Sequence, residues 1–137
     1  MELKIIKGLP PNIELIRAAG FEGNEDAVYT YGNKIYSLTK KEIPPDILEH
    51  EKCHSRQQGS NPDWYISQWL TDRDFRRDSE VEAYCVQLNW IRENMGAKAA
   101  KEGLDELAEN LASDLYKLGI DFHKAHSLIR HRAQEVV

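Results

Sequence analysis

The chain has 137 residues, 41% hydrophobic and 30% charged, which is enough for one core in one domain spanning 1–137 and too polar for a membrane protein. Its net charge is −5 with both signs mixed along the sequence, so no basic stripe offers itself to nucleic acid, and no apolar run approaches a membrane span. The charged start, Met1-Glu2-Leu3-Lys4-Ile5-Ile6-Lys7, is unlike a secretory signal, and Cys53 and Cys85 are expected as reduced core residues, so a cytoplasmic protein is predicted.

In chain order, residues 3–7 read as a strand and residues 11–19, ending at Gly20, as a helix. Residues 27–31 and 34–38 flank Gly32-Asn33, a two-residue signal for a β-hairpin between alternating segments. A helix is predicted next, over residues 46–58. Pro44-Pro45 suits its start, where a missing N–H costs nothing, and Gly59 suits its stop.

That helix carries His50-Glu51-Lys52-Cys53-His54, an HExxH motif. Residues four apart lie one turn apart on one face, so both imidazoles can bind one metal ion while Glu51 stands beside them to take a proton from water. Ile47, His50, Glu51, His54 and Gln58 share the face, a poor solvated surface and a good site wall. Cys53 falls well off it.

A catalytic zinc needs a third protein ligand and one open position. After Asn61-Pro62-Asp63, the aromatic segment with Trp64, Tyr65, Ile66, Trp69 and Leu70 has helical spacing and is expected to pack, with Tyr65 also a candidate to line a cleft or steady an oxyanion. Residues 71–78, with Arg73, Arg76 and Arg77 among three aspartates, read as a polar loop at the rim of the site. A second long helix is then predicted from 79 to Gly96. Ser79-x-x-Glu82 has the spacing of a capping box, which would occupy Glu82 and leave Glu80 free; Glu80 is therefore preferred to Glu82 as the third ligand.

Beyond Gly96, Leu104, Leu107, Leu111, Leu115 and Leu118 form an apolar stripe stopped by Gly119, serving either the core or a homodimer contact. Asp121 can cap a last helix bearing Phe122, Ala125, Leu128 and Ile129, with His123, His126 and His131 along it. The whole predicts an α+β fold, a small N-terminal hairpin and sheet packed on a mainly helical core.

His50-Glu51-x-x-His54 with a later helix carrying Glu80-x-x-Ala83 resembles the gluzincin clan of zinc metallopeptidases, in particular its minimal single-domain members, over roughly residues 26–90. The resemblance implies a zincin-like core, Zn2+ held by His50, His54 and Glu80, Glu51 as general base, and a peptide or protein as substrate. It also implies an edge strand beside the cleft, for which residues 34–39 are the candidate, able to pair with an extended peptide. Many gluzincins place an aspartate four residues after the ligand glutamate, where it orients the first histidine; this chain has Tyr84, assigned either that task or a contact to substrate. His123 or His126 is the candidate to polarise the substrate carbonyl. Three other classes fit parts of the pattern: an ImmA/IrrE-like regulatory peptidase, a catalytically silent zinc-binding module, and a metal-free helical interaction domain.

Overall fold

A computed structural model describes residues 2–39 and 42–135; the outermost ends of the predicted domain, Met1 and residues 136–137, lie outside them. The elements run β1 (Lys4–Lys7), α1 (Ile13–Ala18), β2 (Val28–Tyr31), β3 (Lys34–Ser37), α2 (Pro45–Gln58), α3 (Pro62–Thr71), α4 (Arg73–Met95), α5 (Ala97–Ala112) and α6 (Phe122–Glu135). The fold is α+β, a small three-stranded sheet on a helical core. Among the described residues, no helix is long and apolar enough to cross a membrane.

Gly32, at φ 61°, turns β2 back onto β3 in the predicted hairpin, a conformation that glycine reaches without a Cβ clash. The strand order is β1-β3-β2, with β1 parallel to β3 from Lys4↔Lys34 to Lys7↔Ser37. This corrects the expectation for residues 34–39: β3 is the central strand, its backbone paired on both sides. The edge nearer the helices is β2. Alternate pairing across the hairpin turns the backbone groups of Val28 and Thr30 outward, and Thr30 O accepts from Gln58 Nε2 of α2 at 2.8 Å. Gln58 Oε1 accepts from Gly32 N at 2.7 Å, and Ser55 Oγ donates to Gly32 O at 2.7 Å. These bonds, with those from Thr30 Oγ1 to Glu51, fasten the hairpin to α2.

The expected rim loop at 71–78 is absent. Only Asp72 separates α3 from α4, and its carboxylate caps α4 by accepting from Phe75 N at 3.0 Å. Apart from Arg76, which is buried, the interleaved charges that resemble a loop lie on the solvated first turns of the helix, where Arg77 pairs with Asp74 and Asp78. Ser79 therefore lies in the second turn of α4 and makes no capping box. The apolar core is formed by α4, α5 and α6, with Leu88, Leu111, Ala125 and Ile129 closed to solvent. The leucine stripe does not continue as one helix. Ser113 Oγ takes the carbonyl of Asn110 at 2.6 Å and ends α5, so Leu118 returns to the core from a turn while Leu115 is half exposed. Asp121 accepts from Lys124 N at 2.8 Å and caps α6 as expected.

Candidate metal centre

Helix α2 buries an unusual face. His50, Glu51, Cys53, His54, Ser55 and Gln58 are its buried residues, and only Cys53 among them is apolar. Polar groups leave water at a cost unless they are bonded. These are bonded, Glu51, Ser55 and Gln58 to the hairpin and the two histidines at one point between α2 and α4.

His50 Nε2 and His54 Nε2 lie 3.1 Å apart. Glu80, only 2% exposed on α4, reaches both: Oε1 is 3.3 Å from His50 Nε2 and Oε2 is 3.0 Å from His54 Nε2. The three side chains form a buried group whose donor atoms all lie within 4.8 Å of one another, and it could hold a metal ion. Ligands bound at about 2.0–2.1 Å to a tetrahedral ion stand roughly 3.3–3.4 Å apart, close to the observed spacings.

The outer hydrogen bonds fix the tautomers. Gln57 Nε2 donates to Ser79 O and Glu82 Oε1, both at 3.0 Å, so its Oε1 is the acceptor facing His54 Nδ1 at 2.8 Å. Gln87 Nε2 donates to Asp46 Oδ2 at 2.8 Å, leaving Oε1 to accept from His50 Nδ1 at 3.0 Å. Both imidazoles thus carry a proton on Nδ1 and, when neutral, aim Nε2 lone pairs at each other and at a carboxylate. Three electron-rich donors gathered in a buried cluster suit a cation.

The electrostatics agree. Burial is the largest single influence on His54 and lowers its pKa, but the charge and hydrogen bond of Glu80, with help from Glu51 and Gln57, outweigh it and carry the imidazole up to about 9. Burial likewise opposes ionisation of Glu80, and His54 and His50 together overcome it and hold the carboxyl well below the usual carboxylate range. Trp69 Nε1 adds a hydrogen bond to Glu80 Oε2 at 3.0 Å.

Glu51 stands next to the cluster, 3.9 Å from His50 Nε2, and Thr30 Oγ1 of β2 donates to its Oε1 at 2.9 Å. Glu51, His50, His54 and Glu80 open onto a cavity of about 500 Å³ whose other walls are largely aromatic and aliphatic, among them Phe21, Ile66, Tyr84 and Tyr116.

The other sequence-predicted residues fall as follows. Tyr84 lines the cavity with its ring edge-on to His50, centroids 4.5 Å apart, but its hydroxyl goes to Tyr116 at 2.6 Å. The task of orienting His50 belongs to Gln87. Glu82 is turned away, taking Arg132 of α6 at 2.9 Å and Gln57, so Glu80 alone of the two glutamates joins the histidines. Tyr65 touches the cavity, but its hydroxyl is engaged behind His54 with Gln57 and Ser79. His123 is exposed beside Phe122 and His126 pairs with Asp105; neither lines the cavity. Cys53 and Cys85 are buried thiols that form no disulfide among the described residues, and burial pushes the Cys53 thiol up to about 12, which keeps it protonated.

Sequence reasoning missed Thr30, Asp46, Trp69, Gln87 and Tyr116. Gln87 follows Glu80 by seven residues and so shares its helix face, a signal that was present. The others are joined to the site only by tertiary contact. No protein-family model matches the chain, and no curated protein or solved structure shows a significant similarity to it.

Proposed function

We propose that the protein is a zinc-dependent metallopeptidase of gluzincin type, with His50, His54 and Glu80 as metal ligands and Glu51 as general base. The observation that carries this is the convergence of two Nε2 lone pairs and one buried carboxylate, each held from behind, with a second carboxylate beside them at the mouth of a cavity. A donor set of two nitrogens and one oxygen suits zinc. When bound there, zinc supplies Lewis acidity toward water and a carbonyl oxygen.

The chain's own groups do the rest. Thr30 holds one oxygen of Glu51 and leaves the other to accept a proton from the attacking water. The water oxygen bonds to the carbonyl carbon, the π pair moves to the carbonyl oxygen, and collapse breaks the C–N bond as Glu51 returns the proton to the leaving amine. The outward backbone of Val28 and the outward N–H of Thr30 beside the cavity support a peptide as substrate, because an extended chain can pair with the part of that edge that Gln58 leaves open. The open cavity next to Glu51 favours catalysis over a silent structural site, which would close its coordination with a fourth protein ligand. Two reduced, buried cysteines support a cytoplasmic location.

Metal analysis of the purified protein and cleavage of a mixed peptide pool form the test. Glu51→Gln is expected to retain zinc and lose hydrolysis by roughly 100-fold or more. Full activity in that variant, or wild-type protein that takes up no metal, would refute the proposal.

A further inference from the structure

Residues 9–22 carry α1 and give the cavity part of its wall, through Asn12, Ile16 and Phe21. Among the described residues, this segment makes no hydrogen bond and no ion pair to the rest of the molecule. Its backbone bonds stay within it, and Arg17 pairs with Glu14 and Glu22. The hydrogen bonds that tie it down lie just beyond its two ends, at two glycines: Gly8 N donates to Ser37 O at 2.9 Å, and Gly23 N donates to the Tyr29 hydroxyl at 3.0 Å. Gly8 has φ 143°, a conformation that residues with a Cβ rarely adopt.

Apolar contact holds the segment between those ends. Ile13 and Ile16 are buried. Phe21 meets Trp69 edge-on, ring centroids 4.9 Å apart, with the Arg76 guanidinium 4.8 Å and the Lys117 ammonium 5.0 Å from its own ring. Arg76 is fixed independently, donating to the carbonyls of Trp69 and Tyr116 at 2.8 Å each, so it holds the turn before α6 and the seat persists when Phe21 leaves it. Contacts of this kind are non-directional, and the segment can detach as a unit without stranding a backbone donor or acceptor. Asn12 favours departure. It stands at the N-cap of α1 but caps nothing, and its Oδ1 is buried with no hydrogen-bond partner among the described residues. Opening returns that oxygen to water.

We propose that residues 9–22 are a strap that swings on Gly8 and Gly23 to admit substrate and closes over it, with Phe21 as the latch. Trp69 joins the latch to the metal centre, since the indole that meets Phe21 also donates to Glu80 Oε2 at 3.0 Å. Closure over a peptide rests on the function proposed above; the opening does not.

Hydrogen–deuterium exchange on the full chain tests both. In metal-free protein the amides of α1 should exchange roughly 100-fold or more faster than those of α2 and α4, by an opening that precedes global unfolding. Phe21→Ala should speed α1 about a further tenfold and leave α2 and α4 unchanged. Leu15→Ala, which trims a side chain 63% exposed on the same helix, should change neither. In zinc-loaded protein, benzyloxycarbonyl-leucine hydroxamate, a zinc-binding probe with apolar groups to fill the cavity, should slow α1 about tenfold, and less so in Phe21→Ala. Exchange of α1 only in step with α2 and α4 overturns the strap. Equal acceleration by Phe21→Ala and Leu15→Ala, or acceleration of all helices by Phe21→Ala, overturns the latch. An unaltered α1 in the hydroxamate complex overturns closure over substrate. A wild type that takes up no zinc refutes the proposed function, while the metal-free exchange still decides the opening.

Discussion

Two glutamines decide what the histidines can do. Gln57 and Gln87 each spend their N–H groups on fixed acceptors, so each offers a carbonyl oxygen to an imidazole Nδ1 and commits Nε2 to the cluster. Burial lowers the His54 pKa, and Glu80 overcomes it and raises the imidazole to about 9, so a proton sits where a cation could bind. The sign follows from linkage. A raised folded-state pKa stabilises the metal-free protein fully below the ordinary histidine value of about 6.5, and that stabilisation is lost as pH rises through about 9. Metal must displace the same proton. Apparent zinc affinity is therefore expected to rise about tenfold per pH unit between about 6.5 and 9 and then level off, with about one proton released per ion. Competition titrations against a chelator at several pH values measure it, and a flat profile over that interval would remove His54 from the ligand set.

At the scale of elements, α2 was legible because its start, its stop and its motif are all local. Pro45 opens it, and Gly59 at φ 55° closes it with its N–H on Ser55 O. The start of α4 was misplaced by six residues. Asp72 caps a helix whose first turns are so charged that they resemble a loop, and Glu80 rather than Glu82 joins the histidines for a reason that the capping spacing did not supply: Glu80 faces α2, whereas Glu82 pairs with Arg132 of α6. The edge strand was also misassigned, because β1 inserts on the far side of β3 by a parallel pairing that hairpin signals do not report. A consequence can be measured at β2. Proline is tolerated on an edge strand where the N–H faces away from the ladder, so Val28→Pro should leave zinc content and melting temperature nearly unchanged while raising KM for peptides several-fold. An unchanged KM would show that substrate does not pair with this edge.

Across the whole molecule the site is a joint between layers. The hairpin supplies Thr30, α2 supplies His50, Glu51 and His54, α3 supplies Trp69, α4 supplies Glu80 and Gln87, and the turn before α6 supplies Tyr116. An ion bound at such a joint stabilises the entire fold. Zinc at about 1,000 times its dissociation constant should add about 4 kcal/mol, which for a domain of this size raises the melting temperature by roughly 10 °C. Calorimetry with and without a chelator tests this, and coincident melting curves would place the ion outside the folded structure.

By itself the sequence determined the α+β class, the helix that carries HExxH, the glycine turn of the hairpin, the cap of α6 and the three candidate ligands. These depend on helical periodicity, on turn and cap chemistry, and on donor atoms one turn apart, all of which are properties of neighbours in the chain. Only the tertiary structure decided which strand is the edge, that Gln87 orients His50 where Tyr84 was expected, and that Tyr116 rather than His123 meets the cavity. Those outcomes depend on which faces meet across α2, α4 and the turn held by Arg76, and burial of polar groups is favourable only when distant partners complete their hydrogen bonds.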